Sequence, residues 1–150
     1  MKLATFHANG STSDGSTSDS APRIGLIVHD GIVDLARHVP NLPADMIGLI
    51  TAWAQFQPAL AAIAAKQSAD MPIEAATLLA PITRPGKILG IGLNYADHVA
   101  ESGMAKPEAQ LWFAKMPTAT NGPYAPIQLP KVSEALDYEA ELAIVIGKRC

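Results

Sequence analysis

The sequence predicts an α+β protein in two parts: a small N-terminal α/β domain over residues 1–82 and a strand-rich second part over residues 83–150. Three observations carry this. Two β-branched runs, Arg23–Val28 and Ile32–Leu35, flank Asp30-Gly31, which is a hairpin signal. Apolar residues then recur at helical spacing from Asp45 onward. Past a proline-marked stretch at 71–85 the pattern changes to short apolar runs, of which Tyr138–Ile146 is the most strand-like.

Composition sets the outer bounds. The chain has 150 residues, 49% of them hydrophobic and 17% charged, which is too apolar for a disordered chain. A globule of this size buries roughly 70% of its unfolded surface, enough for a real core. Lys plus Arg number 11 and Asp plus Glu 14, for a net charge of −3. That balance lacks the footprint of a nucleic-acid binder. One Cys excludes an intrachain disulfide and a Cys-based zinc site, and points to a reducing compartment. No apolar run reaches the roughly 20 residues of a membrane helix, and Met1–His7 does not open a secretory signal. The expectation is a cytoplasmic globular protein with neither nucleic-acid nor membrane partners.

In chain order, Leu3–Phe6 is a short first strand. Residues 10–20 (GSTSDGSTSDS) have nothing apolar to bury and predict a flexible loop. The hairpin around Asp30-Gly31 follows, with glycine tolerating the positive φ of a type I′ turn. Asp45 opens a helix whose stripe is Met46, Ile47, Leu49, Ile50, Trp53 and Phe56. Pro58 marks its end, and the Ala-rich stretch to Lys66 predicts a second helix. Residues 71–85 look like an extended linker. Lys87–Ile91 suits a buried strand, and Tyr95–Ser102 a short helix with Asn94 as N-cap and Gly103 as stop. Leu111–Lys115, Ile127–Leu129 and Tyr138–Ile146 are further strands.

Two clusters carry candidate chemistry. On a strand, Glu139 and Glu141 project from one face with α-carbons roughly 6.5–7 Å apart. Two carboxylates so placed can converge on a hard cation. Their strand is apolar on the opposite face and shares its own with Ala143 and Val145, so it reads as buried, although an edge strand fits the spacing equally well. On a helix, His98 and Glu101 face each other, and a carboxylate beside a histidine raises its basicity as a general base requires. An ordinary surface helix, with Asp97 favoured in its first turn, explains the same residues. Gly90-Ile91-Gly92 has Tyr95 where a dinucleotide fingerprint needs its third glycine, so that reading fails. His7, His29 and His38 show no ligand spacing and read as surface or loop residues. Lys115, ending a strand, suits either a substrate carboxylate or a structural pair.

Four stretches, KILGIGLNYADHVAE (87–101), LWFAKMPTA (111–119), NGPYAPIQLP (121–130) and LDYEAELAIVIGK (136–148), together resemble the fumarylacetoacetate hydrolase family in order and spacing. Residues 1–80 look like the smaller N-terminal domain of many bacterial members. The resemblance implies that residues 83–150 are the first strands of a mixed β-roll, dimeric when complete and holding Mg²⁺, Mn²⁺ or Ca²⁺. It implies Glu139 and Glu141 as metal ligands, a third acidic ligand beyond Cys150, Asp97 as an additional metal-binding residue and His98 with Glu101 as the water-activating dyad. It leaves Lys115 as a candidate for holding substrate. The implied activity is hydrolysis of a C–C bond in a small 2,4-dioxo acid such as an acylpyruvate. Isomerisation, decarboxylation, hydration or lyase chemistry on a 2-oxo acid is the alternative within the family. A non-catalytic remnant, or a binding module using the Trp53 face, is the alternative outside it. The 150-residue chain alone is expected to be inactive.

Overall fold

The computed structural model describes residues 1–9, 21–29 and 31–148. The loop expected at 10–20, the turn residue Asp30 and the single cysteine, Cys150, lie outside the described residues. The chain divides into two compact units, Met1–Thr83 with Asn121–Cys150, and Arg84–Thr120.

The first unit is built on β1 (Lys2–Ala8), β2 (Arg23–Val28), β3 (Gly31–Asp34), α1 (Leu35–His38), α2 (Met46–Thr51), α3 (Trp53–Lys66), β4 (Met71–Pro72) and β5 (Ala76–Leu79). Its sheet runs β4-β3-β2-β1-β5, with every neighbouring pair antiparallel. The hairpin forms as the sequence predicts, with Val28 opposite Gly31. The reason for its glycine differs. Positive φ falls on His29, at 45°, and not on Gly31. Gly31 is instead small by necessity, because a Cβ there would press on Ala69 and lie 2.9 Å from the Met71 carbonyl oxygen.

Ile24, Leu26, Val28 and Val33 line one face of the sheet and pack with Met46, Leu49, Phe56 and Leu60 of the helices. Burying a large apolar side chain contributes about 1.5–3 kcal/mol, so this cluster is the main source of stability. Asp45 caps α2, its carboxylate accepting the Gly48 N–H at 2.8 Å. The helical stripe breaks at Ala52, not at Pro58, which lies inside α3. Ala54, whose carbonyl Pro58 cannot serve, is exposed, so water can compensate for the lost bond. Trp53 is half-buried against the core cluster, which is a packing role.

Part of the expected linker at 71–85 is sheet. Met71 pairs with Ile32, and Ala76–Leu79 pairs with β1 from Thr5 to Ala8. Pro72 is tolerated because β4 is an edge strand, where a missing N–H costs no ladder bond.

The second unit holds β6 (Ile88–Gly92), α4 (Ala96–Ser102) and β7 (Leu111–Lys115). β6 and β7 form a two-stranded antiparallel sheet, from Ile88 opposite Lys115 to Gly92 opposite Leu111. Gly90 sits beneath Phe113, and a Cβ there would come within 2.8 Å of the ring. Aromatic packing, and not a phosphate, thus explains this glycine.

The described part of residues 121–150 holds no strand or helix. Ile127–Leu129 and Tyr138–Ile146 therefore differ from expectation. Alternation specifies which face a strand would bury, but only a neighbouring strand supplies the ladder. The glutamates' stretch is exposed, not buried on both faces.

Candidate active site

Helix α4 carries the first cluster. A turn containing Leu93, at φ 53°, leads from β6 into it. A left-handed conformation costs a non-glycine residue about 1–2 kcal/mol, so the entry angle of the helix is imposed by its surroundings. The N-cap is Tyr95, not Asn94, and no side-chain cap bond forms. The Val99 N–H donates to the Tyr95 carbonyl at 3.1 Å. Gly103, at φ 64°, closes the helix as its sequence predicts.

On this helix Asp97 lies in the first turn, where the helix dipole favours it. Asp97, His98 and Glu101 are all exposed. The spacing of three residues brings His98 and Glu101 onto one side of α4. Lys115 ends β7, with its ammonium 5.7 Å from the centre of the Phe113 ring, so its charge rests on an aromatic face.

Glu139 and Glu141 are exposed in the irregular stretch that groups with the first unit, whereas α4 belongs to the second. The two carboxylates, two residues apart, are hard oxygen donors and fit a divalent cation in kind. Among the described residues no group of three or more His, Cys, Asp or Glu side chains gathers at one point.

A third cluster escaped the sequence reading. His38 is not an isolated surface residue. Its Nε2 lies 2.9 and 2.8 Å from the two carboxylate oxygens of Asp70. Asp70 also accepts the Asp34 N–H at 2.8 Å. The fully buried Asp34 carboxylate pairs with Arg23 and lies 3.5 Å from Arg37 Nε. Burial pushes the Asp70 carboxyl up. The hydrogen bond from His38, the Asp34 N–H and the charges of His38 and Arg37 outweigh it and hold the group below its usual value. His38 and Asp70 are 32 residues apart, so no local pattern announces the pair. The cluster fastens α1 to the end of β3 and to the entry of β4.

Residues 87–150 match the family described as fumarylacetoacetate (FAA) hydrolase C-terminal. The chain belongs to the fumarylacetoacetate hydrolase family.

Among its relatives, a mitochondrial oxaloacetate tautomerase of Xenopus laevis is 38% identical over 99% of this chain and 45% of its own length. A mitochondrial oxaloacetate tautomerase of Rattus norvegicus is 40% identical over 85% of the chain and 42% of its own. Maleylpyruvate hydrolase from Sphingobium sp. SYK-6, solved with manganese(II) and pyruvate, is 28% identical with a TM-score of 0.59. It is covered over 43% of its length by 87% of this chain. The chain thus spans less than half the length of these relatives, and it shares their fold.

Proposed function

We propose that these residues belong to a divalent-cation-dependent enzyme that hydrolyses a C–C bond in a small 2,4-dioxo acid. The observation that carries this is the His98–Glu101 pair on one side of α4, inside the stretch that matches the family. Glu139 and Glu141 would hold the cation. When bound, Mg²⁺ or Mn²⁺ supplies a Lewis acid for the oxygens of an oxo acid. The manganese and pyruvate in the Sphingobium relative support this choice of ion and substrate class.

The protein's own groups then act as follows. Glu101 would orient the His98 ring. A ring nitrogen of His98 takes a proton from water, whose oxygen bonds to the distal carbonyl carbon. The C–C bond breaks with its electron pair on the leaving carbon, and His98 returns the proton there. Such a base contributes about 10²–10⁴-fold to rate. α4 is exposed, so this reading requires substrate binding to shield the site from bulk solvent while retaining the one reacting water. Lys115 would pair with the substrate carboxylate.

A second reading is favoured by the relatives named oxaloacetate tautomerases. The same histidine would then move a proton between carbon and oxygen of a 2-oxo acid, with no bond to water. The test is an assay of the full-length protein with Mn²⁺ on an acylpyruvate and on enol-oxaloacetate in parallel. Release of pyruvate from the first supports hydrolysis. Enol loss from the second without acylpyruvate cleavage overturns hydrolysis in favour of tautomerisation.

A further inference from the structure

The chain has four asparagines, and two of them, Asn9 and Asn121, precede a glycine. An asparagine before glycine is prone to react with its own backbone, because glycine has no side chain to shield its nitrogen and moves freely in φ and ψ. Asn41 precedes Leu42 and Asn94 precedes Tyr95, whose side chains crowd that nitrogen. The proposed function uses neither Asn-Gly pair. The structure sets the two pairs apart. At Asn121 the side chain folds onto the peptide that follows it, and the Gly122 N–H donates to Asn121 Oδ1 at 2.9 Å. Asn121 Nδ2 donates to the Pro126 carbonyl at 3.2 Å, and the Ala125 N–H to the Gly122 carbonyl at 3.2 Å. The carboxamide carbon, bonded to Oδ1, is thus held beside the nitrogen that can attack it. At Asn9 the same oxygen instead accepts the Thr77 hydroxyl at 2.7 Å, which ties the carboxamide to β5.

We propose that Asn121 is a site of spontaneous deamidation, through a succinimide formed with Gly122 and opened by water. The Gly122 nitrogen gives its proton to hydroxide and bonds to Asn121 Cγ. The Cγ–Nδ2 bond breaks with its electron pair on Nδ2, which takes a proton from water and leaves as ammonia. Water then opens the cyclic imide. Attack at Cγ breaks the new bond to nitrogen and leaves aspartate. Attack at the former backbone carbonyl carbon leaves isoaspartate, with an extra methylene in the main chain. Holding the reacting atoms together is what speeds ring closure.

Packing explains why the labile pair is kept. A Cβ on Gly122 would lie 2.7 Å from the Leu78 carbonyl oxygen of β5, so a shielding residue does not fit there. The products also change the loop. Either one replaces the Nδ2 donor by a carboxylate oxygen, which only accepts, so the bond to the Pro126 carbonyl is lost. The isoaspartyl form in addition displaces Gly122 from its close fit on Leu78. The site rests on these contacts alone and stands whether or not α4 is catalytic.

Peptide mapping by mass spectrometry tests this on the full-length protein aged at mildly alkaline pH. Trypsin releases Asn121 within residues 116–131 and Asn9 within residues 3–23. The first peptide is expected to gain the mass of an amide turned to an acid and to separate into aspartyl and isoaspartyl forms. Its conversion should rise in proportion to hydroxide concentration and run several-fold faster than that of the second peptide. In urea, where neither hydrogen bond survives, the two peptides should convert at one rate. Asn121→Gln, whose ring closure needs a larger and slower-forming imide, is expected to stay intact. A 116–131 peptide that keeps its amide throughout overturns the proposal. So do equal rates for the two peptides in the folded protein.

Discussion

Replacing Arg23 by leucine tests the energetics of the first unit. Asp34 is fully buried at the end of β3, and Arg23, on the neighbouring strand, is its closest cation. Removing that guanidinium leaves a buried carboxylate with only Arg37, which is largely exposed and 3.5 Å away. Removing one partner of a buried pair costs about 3–5 kcal/mol, because the other charge stays desolvated. Arg23 is one-third exposed and Arg37 gives partial compensation, so the lower end, about 3 kcal/mol, applies here. For a chain of this size that lowers Tm by about 6–12 °C. Urea unfolding followed by fluorescence reads it, with Trp53, half-buried against the core, as the reporting residue. The double variant Arg23→Leu/Asp34→Leu should recover most of the loss, since an apolar pair no longer strands a charge. A single Arg23→Leu variant within about 0.5 kcal/mol of wild type, the range of an ordinary surface substitution, would refute the argument.

Asp70 gives a pH signature. Its folded pKa is depressed below the ordinary 3.8, so its contribution is present above that value and is lost as pH falls through the folded pKa. Urea midpoints from pH 6 downward should therefore fall more steeply in wild type than in Asp70→Asn, and parallel curves would count against the His38–Asp70 pair. Gly31→Ala should destabilise the first unit by about 1–3 kcal/mol through overpacking against Ala69 and the Met71 carbonyl. An unchanged unfolding midpoint in that variant would show that the hairpin has room the structure denies.

What was legible in the sequence was local. The hairpin before and after residue 30, the Asp45 cap, α4 and its glycine stop all depend on residues within a few positions of one another. Their signals are turn chemistry and helical period, and they set His98 and Glu101 on one side of α4. What was not legible depends on pairing across the chain. Residues 71–85 read as linker because three prolines mask two edge strands, β4 and β5, whose partners, β3 and β1, come much earlier. Pro58 read as a stop because an exposed turn of helix tolerates it. His38 carried no visible role until folding set it beside Asp70. Tyr138–Ile146 is the opposite case. Its alternation is the clearest in the chain, yet no strand forms there among the described residues, because alternation cannot provide the neighbour it needs. The spacing of His98 and Glu101 thus follows from local helix geometry, whereas no strand positions Glu139 and Glu141 among the described residues.

Under the proposed function, His98 would serve as base and Glu141 as cation ligand in one reaction. The direct test is pyruvate release from an acylpyruvate by the full-length protein with Mn²⁺, comparing wild type with His98→Ala and Glu141→Ala. His98→Ala is expected to lose about 10²–10⁴-fold in kcat with little change in Mn²⁺ binding. Glu141→Ala is expected to lose both turnover and Mn²⁺ binding. Unchanged turnover in both variants would contradict this reading.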